Sequence, residues 1–386
     1  MLNRFKKTIE NISVTARVWS VIWIVLIILF TVLFFLSRSM IMGLYDETAA
    51  LRWDDKGDAF QFSVFFDEEA KMSTDDIKML SHEYSKALAS TGAASLNEEN
   101  AALPFTMGYM KEGSISLKTE HRNADNIRVY GVGENYFFFH PVKLVSGSYI
   151  NSQNIHTDCV LLDLNTAYRL FGSVDIVGQN VFVNNQPLVV VGVYEPLDNR
   201  VVNAAKGYDT LFNMNVSENG SKDNESAKNL IYMSFDGLGA FGNSKEYITA
   251  LDFVSTASSE NFVSKFLNDK LSNRVNNMKL VCNTSRFSIK KMAEVVCSFG
   301  LRSMRIGPVN YPYYENVALA YEEYISLIYL IMAVILAFIV VIFIVYLYKK
   351  YSNRKIHLSM IKDKAEQMIE KSRKKVSGQK HKWEHF

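Results

Sequence analysis

Two apolar runs without a charged residue, 18–36 and 324–348, lie near opposite ends of this 386-residue chain, and they restrict its fold more than any other feature. A helix rises about 1.5 Å per residue, so the 19-residue first run reaches roughly 28 Å and the 25-residue second run roughly 38 Å, against a hydrocarbon core about 30 Å thick. The first just spans a bilayer; the second spans it with tilt or extends beyond the core. Trp19 and Trp23 sit at the start of the first run. Tyr321, Tyr324 and Tyr329 enter the second, and Tyr346, Tyr348 and Tyr351 leave it beside Lys349 and Lys350, where side chains that prefer the headgroup region belong. A cleaved signal peptide is the alternative for the first run, because the preceding segment is basic and Ser37-Arg38-Ser39 loosely fits a cleavage site. A signal's apolar region is shorter, about 7–15 residues, so the run is read as a retained anchor.

Charge gives the orientation. Residues 1–17 carry a net +3, residues 349–386 a net +8, and residues 38–323 a net −9, which together make the near-neutral +2 of the whole chain. Basic flanks stay in the cytoplasm, so both termini are expected inside and the acidic middle outside, in a multi-pass protein of the cell membrane. The pI near 8.2 therefore gives no support to nucleic-acid binding, and no nucleic-acid partner is expected. Cys159, Cys282 and Cys297 all fall in the external segment, where Cys282 and Cys297 are close enough in sequence to close a short disulfide loop. A core of that size does not need one.

Within the external segment, 60–66 reads as an apolar strand. Ser73-Thr74-Asp75-Asp76 reads as a cap with acids in the first turn, leading a helix to about Ala89 with Ile77, Leu80, Tyr84 and Leu88 at helical spacing. A second β-α unit follows much later: a strand over 247–254, a cap at Ser258-Ser259-Glu260, a helix to about Val275, and a strand over 278–282. The stretch between, about 103–240, is dense in short strands and turns (115–117, 127–132, 142–145, 159–162), with a short helix over 165–170 ending at Gly172. The segments 181–183 and 188–193 around Asn184-Asn185-Gln186-Pro187 read as a hairpin, and the polar run 217–229 as a surface loop. Pro308 and Pro312 end any helix arriving over 287–304 and favour a fresh start near Tyr313. From there a stiff helical rod is expected to enter the membrane. Residues 353–376 carry an apolar stripe among Lys and Arg, as in a basic helix that lies on lipid.

Three patterns that carry chemistry elsewhere are rejected here. Gly237-Leu238-Gly239-Ala240-Phe241-Gly242 matches a dinucleotide fingerprint by letters, but a strand, with no helix N-terminus, is expected after it; it reads as a loop. Ser288 and Lys291 have the spacing of a serine/lysine nucleophile pair inside a Lys-rich helix with no legible oxyanion hole. His381 and His385 have i, i+4 metal spacing at a fraying terminus, and His121, His140 and His156 have no ligand spacing. No catalytic, cofactor-binding or metal-ligating residue is expected, and the chain is not read as an enzyme. No Gly-x4-Gly-Lys-Ser/Thr sequence occurs, so ATP-driven work must fall to a partner.

The ordered series Gly133, then Val142-Lys143-Leu144-Val145-Ser146-Gly147, then Val160-Leu161-Leu162, then Ala167-Tyr168-Arg169-Leu170-Phe171-Gly172, then Ile176-Val177-Gly178-Gln179-Asn180-Val181, then Val189-Val190-Val191-Gly192-Val193-Tyr194 resembles the periplasmic core domain of MacB-type ABC transporter permeases. The resemblance covers about 17–330 and implies an α+β fold: two transmembrane helices flanking an external domain made of a βα porter-like part with an inserted β-rich subdomain. In these terms 1–17 is a cytoplasmic segment and 18–37 the first span. The external domain is 38–323, with porter-like parts 51–102 and 243–306 around an insert 103–242; the second span is 324–348 and the tail 349–386. Two departures stand out. Ser148 follows Gly147 where many members carry a basic residue, and the sequence continues into a basic tail where members usually carry two further FtsX-like membrane helices. The resemblance implies a membrane subunit of an export system that works with a separate ABC ATP-binding subunit and with a further permease chain or as a homodimer. The alternative is a membrane-anchored cell-surface sensor or adaptor that keeps the domain without transport.

Overall fold

The computed structural model describes residues 14–54, 56–90, 104–150, 157–207, 229–257, 259–272, 278–299, 309 and 311–383. The chain divides into two compact units, one of Met1–Leu36 with Ile328–Phe386 and one of Ser37–Leu327. Two helices, α1 (Val14–Met42) and α10 (Tyr313–Trp383), hold windows long and apolar enough to cross a membrane, Val18–Met42 and Tyr313–Tyr348. Most apolar side chains of α1 over 18–36, among them Val18, Val21, Ile24, Val25, Ile28 and Phe35, are exposed and so are left for lipid. Within the smaller unit Trp23 and Phe343 meet edge to face at 6.3 Å. The helix that starts at Tyr313, after Pro312, agrees with the expected restart; it runs unbroken through the backbone of the basic segment at 353–376.

The larger unit is α+β. Among the described residues eleven strands form one sheet, in the order Met278–Cys282 (β11), Ala59–Phe66 (β1), Ala250–Thr256 (β10), Phe105–Lys118 (β2), Asn123–Glu134 (β3), Leu230–Ser234 (β8), Cys159–Asp163 (β5), Gln186–Glu195 (β7) and Lys143–Gly147 (β4), with Asn180–Val183 (β6) on β2 and β7 and Asn243–Ser244 (β9) on β2. Strand β1 (Ala59–Phe66) lies between β10 (Ala250–Thr256) and β11 (Met278–Cys282), antiparallel to both, so the two β-α units read from sequence are neighbours in space. Their helices α3 (Thr74–Ser90) and α8 (Glu260–Leu271) cover one face. Ser73 and Asp76 cap α3 reciprocally: the Ser73 N–H donates to Asp76 Oδ2 at 3.0 Å and the Asp76 N–H to Ser73 Oγ at 3.3 Å. The apolar positions read from spacing, Ile77, Leu80, Tyr84 and Leu88, are the buried ones. Tyr84 meets Phe253, Phe105 and Phe266 at 4.8, 5.0 and 5.0 Å and donates its hydroxyl to Ser255 Oγ at 2.8 Å. Truncating it to alanine removes a filled core position at a cost of about 3–5 kcal/mol.

The strands β2 (Phe105–Lys118) and β3 (Asn123–Glu134) are far longer than the fragments expected over 115–117 and 127–132. Hydrogen bonding continues without a break from β10 through them to β8 (Leu230–Ser234) and β5 (Cys159–Asp163). The sequence reading stopped short because Gly108, Gly113, Gly131 and Gly133 resemble turn punctuation. A Cβ at Gly133 would sit 2.3 Å from the Tyr109 ring, so that glycine is demanded by a cross-strand neighbour. The hairpin of β6 (Asn180–Val183) and β7 (Gln186–Glu195) turns on Asn184 and Asn185 alone, at φ 48° and 69°, and Gln186 and Pro187 already belong to β7. The edge strand β4 (Lys143–Gly147) packs so closely on β7 that a Cβ at Gly147 would lie 2.1 Å from the Val191 carbonyl oxygen. Asp163 caps α5 (Leu164–Phe171), accepting from the Asn165 and Thr166 N–H groups at 3.0 and 3.1 Å, and Gly172 ends it at φ 73°.

Among the short helices that were not expected, α4 (Tyr136–Phe139) follows β3 and α6 (Arg200–Gly207) follows β7. Both bring side chains toward the start of α10.

Candidate functional site

Two residues after α1 the backbone forms a 3-10 turn, Tyr45–Glu47, that carries Asp46 and Glu47 side by side, followed by α2 (Ala49–Trp53). Gln61, buried in β1, fixes this stretch on both sides: its amide donates to the Asp46 carbonyl at 2.6 Å and its Oε1 accepts from the Ala50 N–H at 3.2 Å. Asp46 and Glu47 then enter two separate buried ionic clusters. Both clusters also hold the first turns of α10.

The first is centred on His140, just past α4. Its Nδ1 lies 2.9 Å from Asp46 Oδ1 and its Nε2 2.8 Å from Asp252 Oδ2 in β10. The ring is packed between Tyr136 and Tyr314, with centroids at 4.6 and 4.1 Å. Asp252 is held in turn by the Ser63 hydroxyl at 2.5 Å, and Ser63 accepts from the Asn283 amide at 3.0 Å. Burial works against a charged imidazole, but Asp252 and Asp46 more than offset it and raise its pKa to about 10.

The second cluster is centred on Arg286, in the turn between β11 and α9 (Ile289–Cys297). Arg286 Nη1 and Nη2 meet Glu315 Oε2 and Oε1 at 2.8 and 2.7 Å, a two-pronged contact. Nη1 also reaches Glu47 Oε2 at 3.0 Å, and Nε reaches Glu322 Oε1 at 2.5 Å. The side chains of Arg286, Glu315 and Glu47 are 2%, 2% and 3% exposed and that of Glu322 10%, so screening by solvent is slight. Burial pushes the Glu47 carboxyl up to about 8 against the pull of Arg286, and the charges of Glu315 and Asp46 add to the rise. Burial opposes the Arg286 charge, yet Glu315 and Glu47 raise its pKa further. A cleft of about 600 Å³ among α8, β11, α9 and α10 has Arg286, Glu315 and Glu322 in its wall.

Together the clusters bind the segment leaving α1 and the segment opening α10 to the same three strands, β1, β10 and β11. Removing one partner from such a pair strands a buried charge and costs about 3–5 kcal/mol. The arrangement offers no nucleophile or metal seat; it is suited to hold, and to transmit force through, a joint.

The motifs singled out in the sequence have plain structural roles. Ser288 caps α9, its Oγ accepting from the Lys291 N–H at 3.4 Å, while Lys291 Nζ pairs with Glu294. The glycine-rich run, expected as a loop, instead lies largely in a helix, α7 (Phe235–Phe241). Ser234 caps it by accepting from the Gly237 N–H at 3.0 Å, and a Cβ at Gly237 would meet the Thr157 carbonyl oxygen at 2.1 Å. Cys159, Cys282 and Cys297 are free thiols, so Cys282 and Cys297 do not close a loop. His121 is exposed beside Glu120. His156 and His385 lie outside the described residues, as do most of 217–229.

The residues of the joint were not singled out in the sequence. His140 was set aside for want of ligand spacing, and Asp46, Glu47, Arg286 and Glu315 belong to no motif read there. Glu315 and Glu322 did carry a signal: they are seven residues apart, on one face of a helix whose neighbouring positions Tyr314, Val317, Ala318 and Tyr321 are apolar or aromatic.

Comparison with known proteins bears on this architecture. A family model, the MacB-like periplasmic core domain, matches residues 43–247, from the end of α1 to just before β10. The macrolide export ATP-binding/permease protein MacB of Pasteurella multocida is 30% identical over 107 residues, 26% of this chain and 16% of that protein. The probable syringafactin export ATP-binding/permease protein SyfD of Pseudomonas syringae pv. syringae is 34% identical over 105 residues, 26% of this chain and 15% of that protein. The chain thus spans under a fifth of the length of these relatives. Among solved structures it is similar to the periplasmic region of MacB from Actinobacillus actinomycetemcomitans, at a TM-score of 0.39 and 15% identity over 61% of this chain and 92% of that one; the likeness is too slight to add to the family match. That match takes in more than half of the sequence, and the chain belongs to the family of the MacB-like periplasmic core domain.

Proposed function

We propose that this chain is the membrane subunit of a MacB-type ABC export system, in which the external domain couples conformational change to ATP hydrolysis by a separate ATP-binding subunit. The observation that carries this reading is Arg286, which ties Glu47, behind the first membrane helix, to Glu315 and Glu322, at the start of the second. Movement of either helix end is thereby felt at β11 and at the strands beside it. The relatives named as export ATP-binding/permease proteins supply the rest: macrolides and syringafactin are what their names say they export, and a cargo of that amphiphilic kind suits this chain. The basic flanks put both termini in the cytoplasm and the domain outside. A second copy of the chain or another permease chain completes the membrane part.

The test is association and coupling. Purified from its native membrane in mild detergent, the chain should carry an ATP-binding subunit with it and raise that subunit's ATP hydrolysis. A chain that associates with no ATP-binding protein would instead be a surface sensor or adaptor. Orientation is read from Cys297, which is exposed. A membrane-impermeant maleimide should label it on intact cells. A cysteine placed at Ser352 in a Cys297→Ser background should react only after permeabilisation; the reverse pattern would invert the topology.

A further inference from the structure

The Arg286 cluster has one feature that a purely structural ion pair does not need. Three carboxylates converge on a single guanidinium, and two of them, Glu47 and Glu315, approach the same nitrogen at 3.0 and 2.8 Å. With all three ionised the buried site would hold two uncompensated negative charges. A proton on one of the three removes one of them, as in carboxylate pairs that hold a proton between them. We propose that the cluster is a proton-operated latch: it holds one proton, on Glu47, when the joint is closed, and releases it as the external medium turns alkaline, loosening the turn Tyr45–Glu47 from α10.

Glu47 is the member that can let go. Glu315 has both oxygens on Arg286, and Glu322 has the guanidinium Nε to itself, whereas Glu47 shares Nη1 through one oxygen. The groups that face it all favour the neutral acid except one. Glu315 and, further along the same helix, Glu322 bring negative charge from α10, and Asp46 brings it from the same turn; only Arg286 opposes them. Lys206 on α6, which packs nearby with its Nζ 5.2 Å from the Tyr313 ring centroid, has Asp163, Arg128 and Asp198 as its charged neighbours and does not compensate the cluster. The cleft has Arg286, Glu315 and Glu322, though not Glu47, in its wall.

The direction follows from linkage. An acid whose folded-state pKa lies above its unfolded value stabilises the fold fully below the unfolded value and loses that contribution as pH climbs through the folded one. For Glu47 the window runs from 4.5 to about 8. The adjoining His140 has its own window, from 6.5 to about 10, which overlaps that of Glu47 only above 6.5, so substitution of Glu47 separates the two.

The inference rests on the cluster and stands apart from export. It is tested on the full chain in lipid nanodiscs by hydrogen–deuterium exchange from about pH 6 to about pH 9, corrected for intrinsic exchange rates. The loss of protection due to Glu47 in peptides covering 44–54 and 283–288 should run at about tenfold per pH unit below about pH 8, the slope of one proton, and level off above it, while β1 and β10 keep theirs. Glu47→Gln, which imitates the protonated acid, should lose the part of that pH dependence due to Glu47 and keep those peptides better protected than in the unaltered chain near pH 8. Infrared difference spectra of the unaltered chain supply an independent reading: the carbonyl band of a buried protonated acid should vanish over the same range. Protection independent of pH in the unaltered chain, an unchanged pH profile in Glu47→Gln, or no such band would each overturn the proposal.

Discussion

His140 and Arg286 close the same joint by different arithmetic. His140 faces two carboxylates and takes one at each ring nitrogen, so each acid has a donor of its own, and Asp252 is further held by Ser63. Arg286 faces three, each reached through an N–H of its own. The second arrangement carries one more uncompensated negative charge than the first. A buried cation thus fixes a structure when few carboxylates share its charge, and becomes responsive when more gather on it than it can neutralise. The two clusters meet on adjacent residues, Asp46-Glu47 and Tyr314-Glu315, so the domain holds the same two chain segments by one firm grip and one adjustable grip.

Substitutions separate the two. The largest loss is expected from Arg286→Leu, which strands three buried acids; unfolding in denaturant should show about 3–5 kcal/mol less stability, and part of it should return at low pH, where those acids take up protons. His140→Leu leaves Asp252 buried and is expected to cost about 3 kcal/mol, because Ser63 still holds that acid. Its stabilisation should be complete below 6.5 and fade as pH rises through about 10, so the difference between the His140→Leu and unaltered chains should shrink at high pH. Tyr84→Phe, far from the joint, removes only the hydroxyl's bond to Ser255 and should cost about 1 kcal/mol without pH dependence below pH 9. Glu195→Gln breaks the exposed pair with Lys143 on the edge strand and should stay within about 0.5 kcal/mol. If the Arg286→Leu and His140→Leu chains lost stability with identical pH profiles, the distinction between the grips would fail.

Local signals in the sequence translated well. The Ser73-Thr74-Asp75-Asp76 cap, the stripe Ile77, Leu80, Tyr84 and Leu88, the strand 278–282 and the restart of a helix after Pro312 all depend on neighbours a few residues away, and all stand where expected. What local reading lost were the glycines of β2 and β3 and the run 237–242, whose small size answers to a ring or a carbonyl brought in from elsewhere in the fold. The joint itself was hidden for the same reason. Glu47 and Arg286 stand 239 positions apart, and nothing in the spacing of either one announces the other. The family match stops at residue 247, so it includes Asp46, Glu47 and His140 but neither Asp252 nor Arg286, Glu315 and Glu322. Only the folded sheet, which sets β1, β10 and β11 side by side, completes the clusters.

The central claim is that the external domain works through the Arg286 joint, and one measurement addresses it directly. Arg286→Lys keeps the charge but loses the planar fork that lets one side chain hold three carboxylates. ATP hydrolysis by the co-purified ATP-binding subunit should be compared in nanodiscs carrying the unaltered and the Arg286→Lys chains. The account predicts that both chains retain the subunit and that only the unaltered chain stimulates it. Full stimulation by Arg286→Lys, with exchange data confirming that its joint has loosened, would contradict the account.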